Sequence, residues 1–280
     1  MRHIILHGHI FKNAGTTFDW SLQRNFGDNF LDHRSDQLMR TQGSDHLLQL
    51  LADYPDLQAV SSHHMTRNVP DTSAAKFLQV CMLRHPIERI RSVYDFERKQ
   101  RGRTPGSKAA KSKSFKDYVA WRMTPTVAHT VRNYQTLYLA GHHGLAVAAD
   151  LAGIHFPQAC KSIYQDTLVG VVDRYDESMV VLEESLRQYF AEIDLAYVPQ
   201  NVSRGKRRKA SADEVVARTL GELGDLQKQV IDHNSYDLAL YQLAVSNLEA
   251  RISGIEGFSG KLSIFRERCQ RLRPRKLVSF

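Results

Sequence analysis

His3-Ile4-Ile5-Leu6, followed by His9-Ile10-Phe11-Lys12-Asn13-Ala14-Gly15-Thr16-Thr17 and then Phe18-Asp19-Trp20-Ser21-Leu22, is the stretch that decides the fold. The short apolar run has the length of a buried strand, Gly15 permits a tight turn, and Thr16 and Thr17 stand where a helix begins. The order predicted is strand, loop, helix. An anion suits the end of such a loop, because the unsatisfied N–H groups and the dipole of a helix's first turn favour negative charge. Lys12 adds a full positive charge on the same loop. A Walker-type ATPase loop places its lysine directly after the second glycine, whereas Lys12 precedes Gly15 by three positions, so this is a phosphate loop of another kind.

A second segment has the same logic. Phe77-Leu78-Gln79-Val80-Cys81-Met82-Leu83 is a nearly continuous apolar strand that ends in Arg84-His85-Pro86-Ile87-Glu88-Arg89-Ile90-Arg91-Ser92-Val93-Tyr94. Pro86 is suited to the first turn of a helix, where its missing N–H costs nothing. Arg84 then lies at the carboxyl end of the strand and Ser92 about two turns into the helix. Ligands of open parallel sheets bind outside the carboxyl ends of the strands, which makes Arg84 and Ser92 candidates for a second phosphate.

Taken together, these two motifs resemble those of sulfotransferases that use 3'-phosphoadenosine 5'-phosphosulfate (PAPS), in the carbohydrate branch that includes the uronyl and heparan 2-O-sulfotransferases. The loop is similar to that branch's 5'-phosphosulfate loop, with Phe11 in place of its usual proline and Asn13 in place of Thr or Ser. The Arg-x-Pro-x-x-Arg-x-x-Ser-x-Tyr spacing is similar to its 3'-phosphate motif. The resemblance implies a P-loop NTPase-like α/β fold, with a central, mainly parallel sheet flanked by helices on both faces. It implies donor contacts from Lys12, Asn13, Ala14, Gly15, Thr16 and Thr17 around the 5'-phosphosulfate, and from Arg84 and Ser92 around the 3'-phosphate. Lys12 would also stabilise the leaving oxygen. Ala59-Val60 running into Ser61-Ser62-His63-His64-Met65 reads as another strand ending in polar groups. In the uronyl enzymes a histidine at the end of this strand is the base. His64 aligns with it, His63 is the alternative, and a neutral imidazole can take the proton of an acceptor hydroxyl.

The whole chain sets bounds on this reading. Its 280 residues, 42% hydrophobic, suffice for one sulfotransferase domain over residues 1–280, with a basic insertion at 98–113 and a basic tail at 261–280. The net charge of +8 points to acidic partners. Neither a secretory signal nor a run long enough to span a membrane is visible, and the anchor and stem of the glycan enzymes it resembles are missing; a cytoplasmic, bacterial enzyme is the expectation. Cys81, Cys160 and Cys269 are odd in number and lack metal-ligand spacing, so a reducing compartment and no metal are expected.

Residues 98–113 carry seven Lys and Arg side chains and no acid, together with Gly102, Pro105 and Gly106, and read as a mobile basic loop that could hold an acidic acceptor. Asn133-Tyr134-Gln135-Thr136-Leu137-Tyr138-Leu139-Ala140-Gly141 resembles a family segment ending in a glycine-capped helix, with Gln135 either lining the acceptor side or buried as a structural amide. Thr167–Val172 reads as a buried strand and 177–186 as a helix with its apolar positions in the core. Pro199–Lys209 is a second basic loop, where the resemblance implies a third donor contact from Ser203, Arg204 or Lys206. Ser211-Ala212-Asp213-Glu214 is a capping box. The tail alternates apolar and basic residues but is broken by Pro274; it reads as a terminus rather than a membrane helix. The expected activity is in-line sulfuryl transfer from PAPS, without metal, to a hydroxylated acceptor such as a glycan or other anionic molecule. The sulfotransferase reading expects no nucleic-acid partner; its rivals are a P-loop kinase, whose Gly-Lys-Ser/Thr order is lacking here, and a non-enzymatic basic nucleic-acid-binding protein, suggested by the charge runs at 98–113 and 204–209.

Overall fold

The computed structural model describes residues 1–142, 151–200 and 211–273. They group into two compact units, one formed by residues 1–82, 167–200 and 245–273, the other by 83–142, 151–166 and 211–244.

The first unit is built on a five-stranded sheet of order β2-β3-β1-β4-β5, from β1 (Arg2–Gly8), β2 (Phe30–Asp32), β3 (Ala59–Ser62), β4 (Ala75–Leu83) and β5 (Thr167–Val171). The sheet is mainly parallel: β1 lies between β3 and β4, pairing Ile5 with Ala59 and Leu78, and β2 joins β3 in the same direction. Alternation along β1 supplies two cores, since successive side chains leave opposite faces of a strand. On one face Ile5, Leu78, Val80 and Met82 pack with Phe18 and Leu22 of α1 (Gly15–Phe26), with Met179 and Leu182 of helix Tyr175–Leu186, and with Phe265 of helix Phe258–Arg271. On the other face Ile4, Leu6 and Val60 meet Met39 of α2 (Asp36–Gln42) and Leu47, Leu50 and Leu51 of α3 (Ser44–Asp53). Helices therefore cover both faces, as the α/β reading expects. Gly170 is required by close packing, because a Cβ there would stand 2.8 Å from the Met82 methyl carbon.

The second unit is helical. It contains α4 (Pro86–Lys99), α5 (Pro105–Ser112), α6 (Phe115–Met123), α7 (Tyr134–Leu139), α8 (Ala152–Lys161), and, beyond the two helices already placed in the first unit (α9 and α13 in chain order), α10 (Ala212–Leu223), α11 (Gln227–Asp232) and residues 235–244 of α12 (Ser235–Ser253). Pro86 does begin α4, and the capping box at Ser211 and Glu214 is formed.

The segment expected as a basic loop is mostly helix. Its first two residues end α4, Thr104 caps α5 by accepting from the Ser107 N–H, and Gly106 packs directly on a buried pair. That pair is Glu97 and Arg122, 2.5 Å apart, with the Tyr118 hydroxyl donating to the same carboxylate. A single buried ion pair underneath thus orders a stretch whose composition alone reads as solvated.

Candidate active site

The loop after β1 bends back sharply. Lys12 and Ala14 both adopt the left-handed conformation, at φ 67° and 60°, which non-glycine residues visit only when the surroundings impose it. Left-handed residues in a short turn draw backbone N–H groups into a concavity that suits an anion, and this one opens onto the N-terminus of α1. The loop is fixed at its centre. The Asn13 side chain is buried and donates from Nδ2 to the Met82 carbonyl of β4 at 2.7 Å, and its backbone N–H returns to Ile10. Asn13 therefore holds the loop through its side-chain amide, where the resembling enzymes have a hydroxyl. Thr16 is exposed at the loop's end; Thr17 is buried and accepts from the Gln200 N–H at 3.2 Å.

Behind the loop lies a cluster that the sequence reading missed. His7 and His9 are two apart at the end of β1 and Asp19 is on α1. His7 Nδ1 stands 2.7 Å from Asp19 Oδ1, and His9 Nδ1 stands 2.8 Å from Oδ2. All three residues are buried, and their ligand-type atoms lie within 4.8 Å of one another. Two ligands of one ion, each about 2 Å from it, stand roughly 3 Å or more apart. Here His7 hydrogen-bonds the carboxylate directly and His9 Nδ1 meets Oδ2 at ion-pair distance without hydrogen-bond alignment, so the cluster is a carboxylate held between two imidazoles. Burial opposes the charge, yet His7 and His9 hold the Asp19 carboxyl well below the usual range. The available signal was the His-x-His spacing, which puts both rings on one face of a strand.

The expected base lies in the same unit. His63 and His64 follow β3 directly. The Nδ1 of His63 donates to the His9 carbonyl at 2.9 Å, and the His63 ring lies 4.2 Å from that of His9. A carbonyl can only accept, so Nδ1 carries the proton and Nε2 of neutral His63 presents its lone pair. His64 has Nε2 4.0 Å from the Asp36 carboxylate. Burial lowers the proton affinity of both rings.

In the second unit Arg84 is held by its backbone. Gln135, fully buried, accepts from the Arg84 N–H and donates to the Arg84 carbonyl, both at 2.9 Å. Its amide is thus structural, the second of the two roles open to it. The Arg84 side chain is about a quarter exposed, with Nε 3.3 Å from Glu88, and Ser92 is partly exposed two turns along α4. Gln135 is itself fixed through α7, whose first N–H groups, from Gln135 and Thr136, donate to buried Asp237 at 3.1 and 2.7 Å. Ser203 and Arg204 lie outside the described residues. Cys81, Cys160 and Cys269 are all free thiols, and burial pushes Cys81 up to about 11, which makes it unreactive. Among the described residues no helix is long and apolar enough to cross a membrane.

Comparison with known proteins agrees with this architecture. A family model described as "Sulfotransferase family" matches residues 1–244. A protein of Archaeoglobus fulgidus, described only as uncharacterized, is 30% identical over 253 residues, covering 87% of this chain and 96% of its own.

Proposed function

The chain belongs to the sulfotransferase family, and from that premise we propose that it transfers the sulfuryl group of PAPS to a hydroxyl of a carbohydrate or other large acceptor. The observation that carries this reading is the Lys12–Thr17 loop, in which two left-handed residues, Lys12 and Ala14, lead into a helix N-terminus. Such preorganised dipoles stabilise charge without reorganising as it develops. The acceptor oxygen attacks sulfur in line, the bond from sulfur to the bridging 5'-phosphate oxygen breaks, and 3'-phosphoadenosine 5'-phosphate leaves with the electron pair. Lys12 and the first-turn N–H groups of α1 meet that charge, while Thr16 and Thr17 hold the 5'-phosphate. Arg84 and Ser92 bind the 3'-phosphate, with Ser203 and Arg204 as further donor contacts.

The acceptor's proton goes to the His63–His64 pair. His64 aligns with the base of the enzymes the chain resembles, but the bond from His63 Nδ1 to the His9 carbonyl favours His63, whose Nε2 it fixes as the proton-accepting atom. The charge of +8 suits an anionic acceptor such as an acidic glycan.

Calorimetric titration with 3'-phosphoadenosine 5'-phosphate beside AMP and ATP tests the donor. Binding that prefers the 3'-phosphate and loses that preference in Arg84→Ala supports the reading; equal binding of AMP or ATP refutes it. Transfer of labelled sulfate from PAPS to a panel of polysaccharides identifies the acceptor.

A further inference from the structure

The imidazole of His9 has no part in the scheme above, yet it lies along α1 between Asp19 and the phosphate loop. Gly15 and Asp19 are one turn apart on the same side of that helix, and the ring spans them. Nδ1 faces Asp19 Oδ2 at 2.8 Å, while the Cδ2–Nε2 edge lies over Gly15, so closely that a Cβ there would stand 2.6 Å from Cγ and nearer still to Cδ2 and Nε2. Cβ vectors tilt toward a helix's N-terminus, so that edge sits on the side of α1 where the loop would hold its anion.

The contact with Asp19 is not aligned as a hydrogen bond, but a bare nitrogen lone pair 2.8 Å from a carboxylate oxygen would be repelled, which assigns the proton of neutral His9 to Nδ1 and leaves a lone pair at Nε2. A lone pair beside an anion is repulsive; a second proton makes the same atom a donor. We propose that His9 is a further donor-binding residue, converted to an imidazolium as the phosphosulfate enters, with Nε2–H directed to the incoming anion and Asp19 balancing the charge from behind. This assignment rests on the PAPS reading. In the free protein burial holds His9 below the ordinary histidine range, with His7 and Arg34 also opposing the charge and Asp19 favouring it. The groups facing the ring are therefore Asp19 of α1, His7 of β1, His63 after β3 and Arg34 after β2. A bound polyanion reverses that balance.

The test is nitrogen NMR of histidine-labelled full-length protein at pH 7.5, without and with saturating 3'-phosphoadenosine 5'-phosphate. His9 is expected to show a neutral Nδ1–H tautomer when free and an imidazolium when bound. His9→Gln is expected to remove that signal and weaken binding about tenfold or more, the scale of one hydrogen bond to a charged group. Asp19→Asn serves as the second variant and is expected to keep the bound ring neutral. A ring that stays neutral in a complex showing the 3'-phosphate preference would overturn this assignment alone. Absence of any binding would overturn the donor reading and, with it, this assignment.

Discussion

Replacing Gly15 by alanine tests the packing behind the loop most directly. The added methyl would stand 2.6 Å from His9 Cγ, where ordinary contact begins near 3.4 Å, so the ring must retreat by at least about 0.8 Å. It has little room to do so, being buried between Asp19 and the His63 ring. Overpacking of this kind costs about 1–3 kcal/mol. Losing the contact with the Asp19 carboxylate costs about 1.5–3 kcal/mol more, and alanine returns at most about 1 kcal/mol of helix propensity. A net loss of about 2–5 kcal/mol is expected for Gly15→Ala in urea unfolding followed by circular dichroism, with an unchanged denaturant slope. The double variant Gly15→Ala, His9→Ala removes the clashing ring, and its stability should exceed the sum of the single effects by at least about 1 kcal/mol. A Gly15→Ala protein within about 0.5 kcal/mol of wild type, with additive behaviour in the double variant, would refute this account of the loop.

Other expectations follow from the same geometry. Lys12→Ala should lower turnover by about two orders of magnitude or more while the far-ultraviolet spectrum and unfolding midpoint stay near wild type; near-normal turnover would remove Lys12 from the mechanism. His63→Ala should lower turnover by a similar factor, and His64→Ala by much less, in steady-state assays with PAPS; the reverse order would return the base to His64. Gln135→Leu leaves the Arg84 N–H and carbonyl without their partner, so a stability loss of about 1–3 kcal/mol should accompany a weakened preference for the 3'-phosphate in calorimetry. Burial, first among the causes, lowers the proton affinity of His9, His33, His63 and His64, so below about pH 6.5 the unfolded chain binds more protons than the native one. Stability should accordingly fall as pH drops from 7 to 5; unfolding midpoints that are flat or rising over that range would contradict this.

Much of the architecture was legible because it is written in local patterns. The apolar runs at His3–Leu6 and Phe77–Leu83 are strands, Pro86 opens a helix, and Ser211 with Glu214 closes a capping box. What escaped notice depends on residues far apart in sequence. Nothing local to Arg101–Lys113 announces that Glu97 and Arg122 pair beneath it, so its composition read as loop while tertiary contact made it helix. Asn13 read as a substitute phosphate donor because hydroxyl and amide both donate, and only its distance to Met82 shows where the amide is used. The His7–Asp19–His9 clamp joins a strand to the helix after it; thirteen histidines in the chain hid the two that matter.

The way Arg84 is held has a consequence for how the protein is made. Its backbone is fixed by Gln135, and the helix start that carries Gln135 is fixed by Asp237, more than 100 residues further on. Contacts of such separation are paid for late, after a long loop has closed. On the ribosome, which extends chains from the N-terminus, Arg84 is made long before Asp237, so the backbone hold on Arg84 is completed only after the start of α12 has emerged. A chain truncated before Asp237 would thus leave the first N–H groups of α7 without their carboxylate and loosen the Gln135 clamp on the Arg84 backbone.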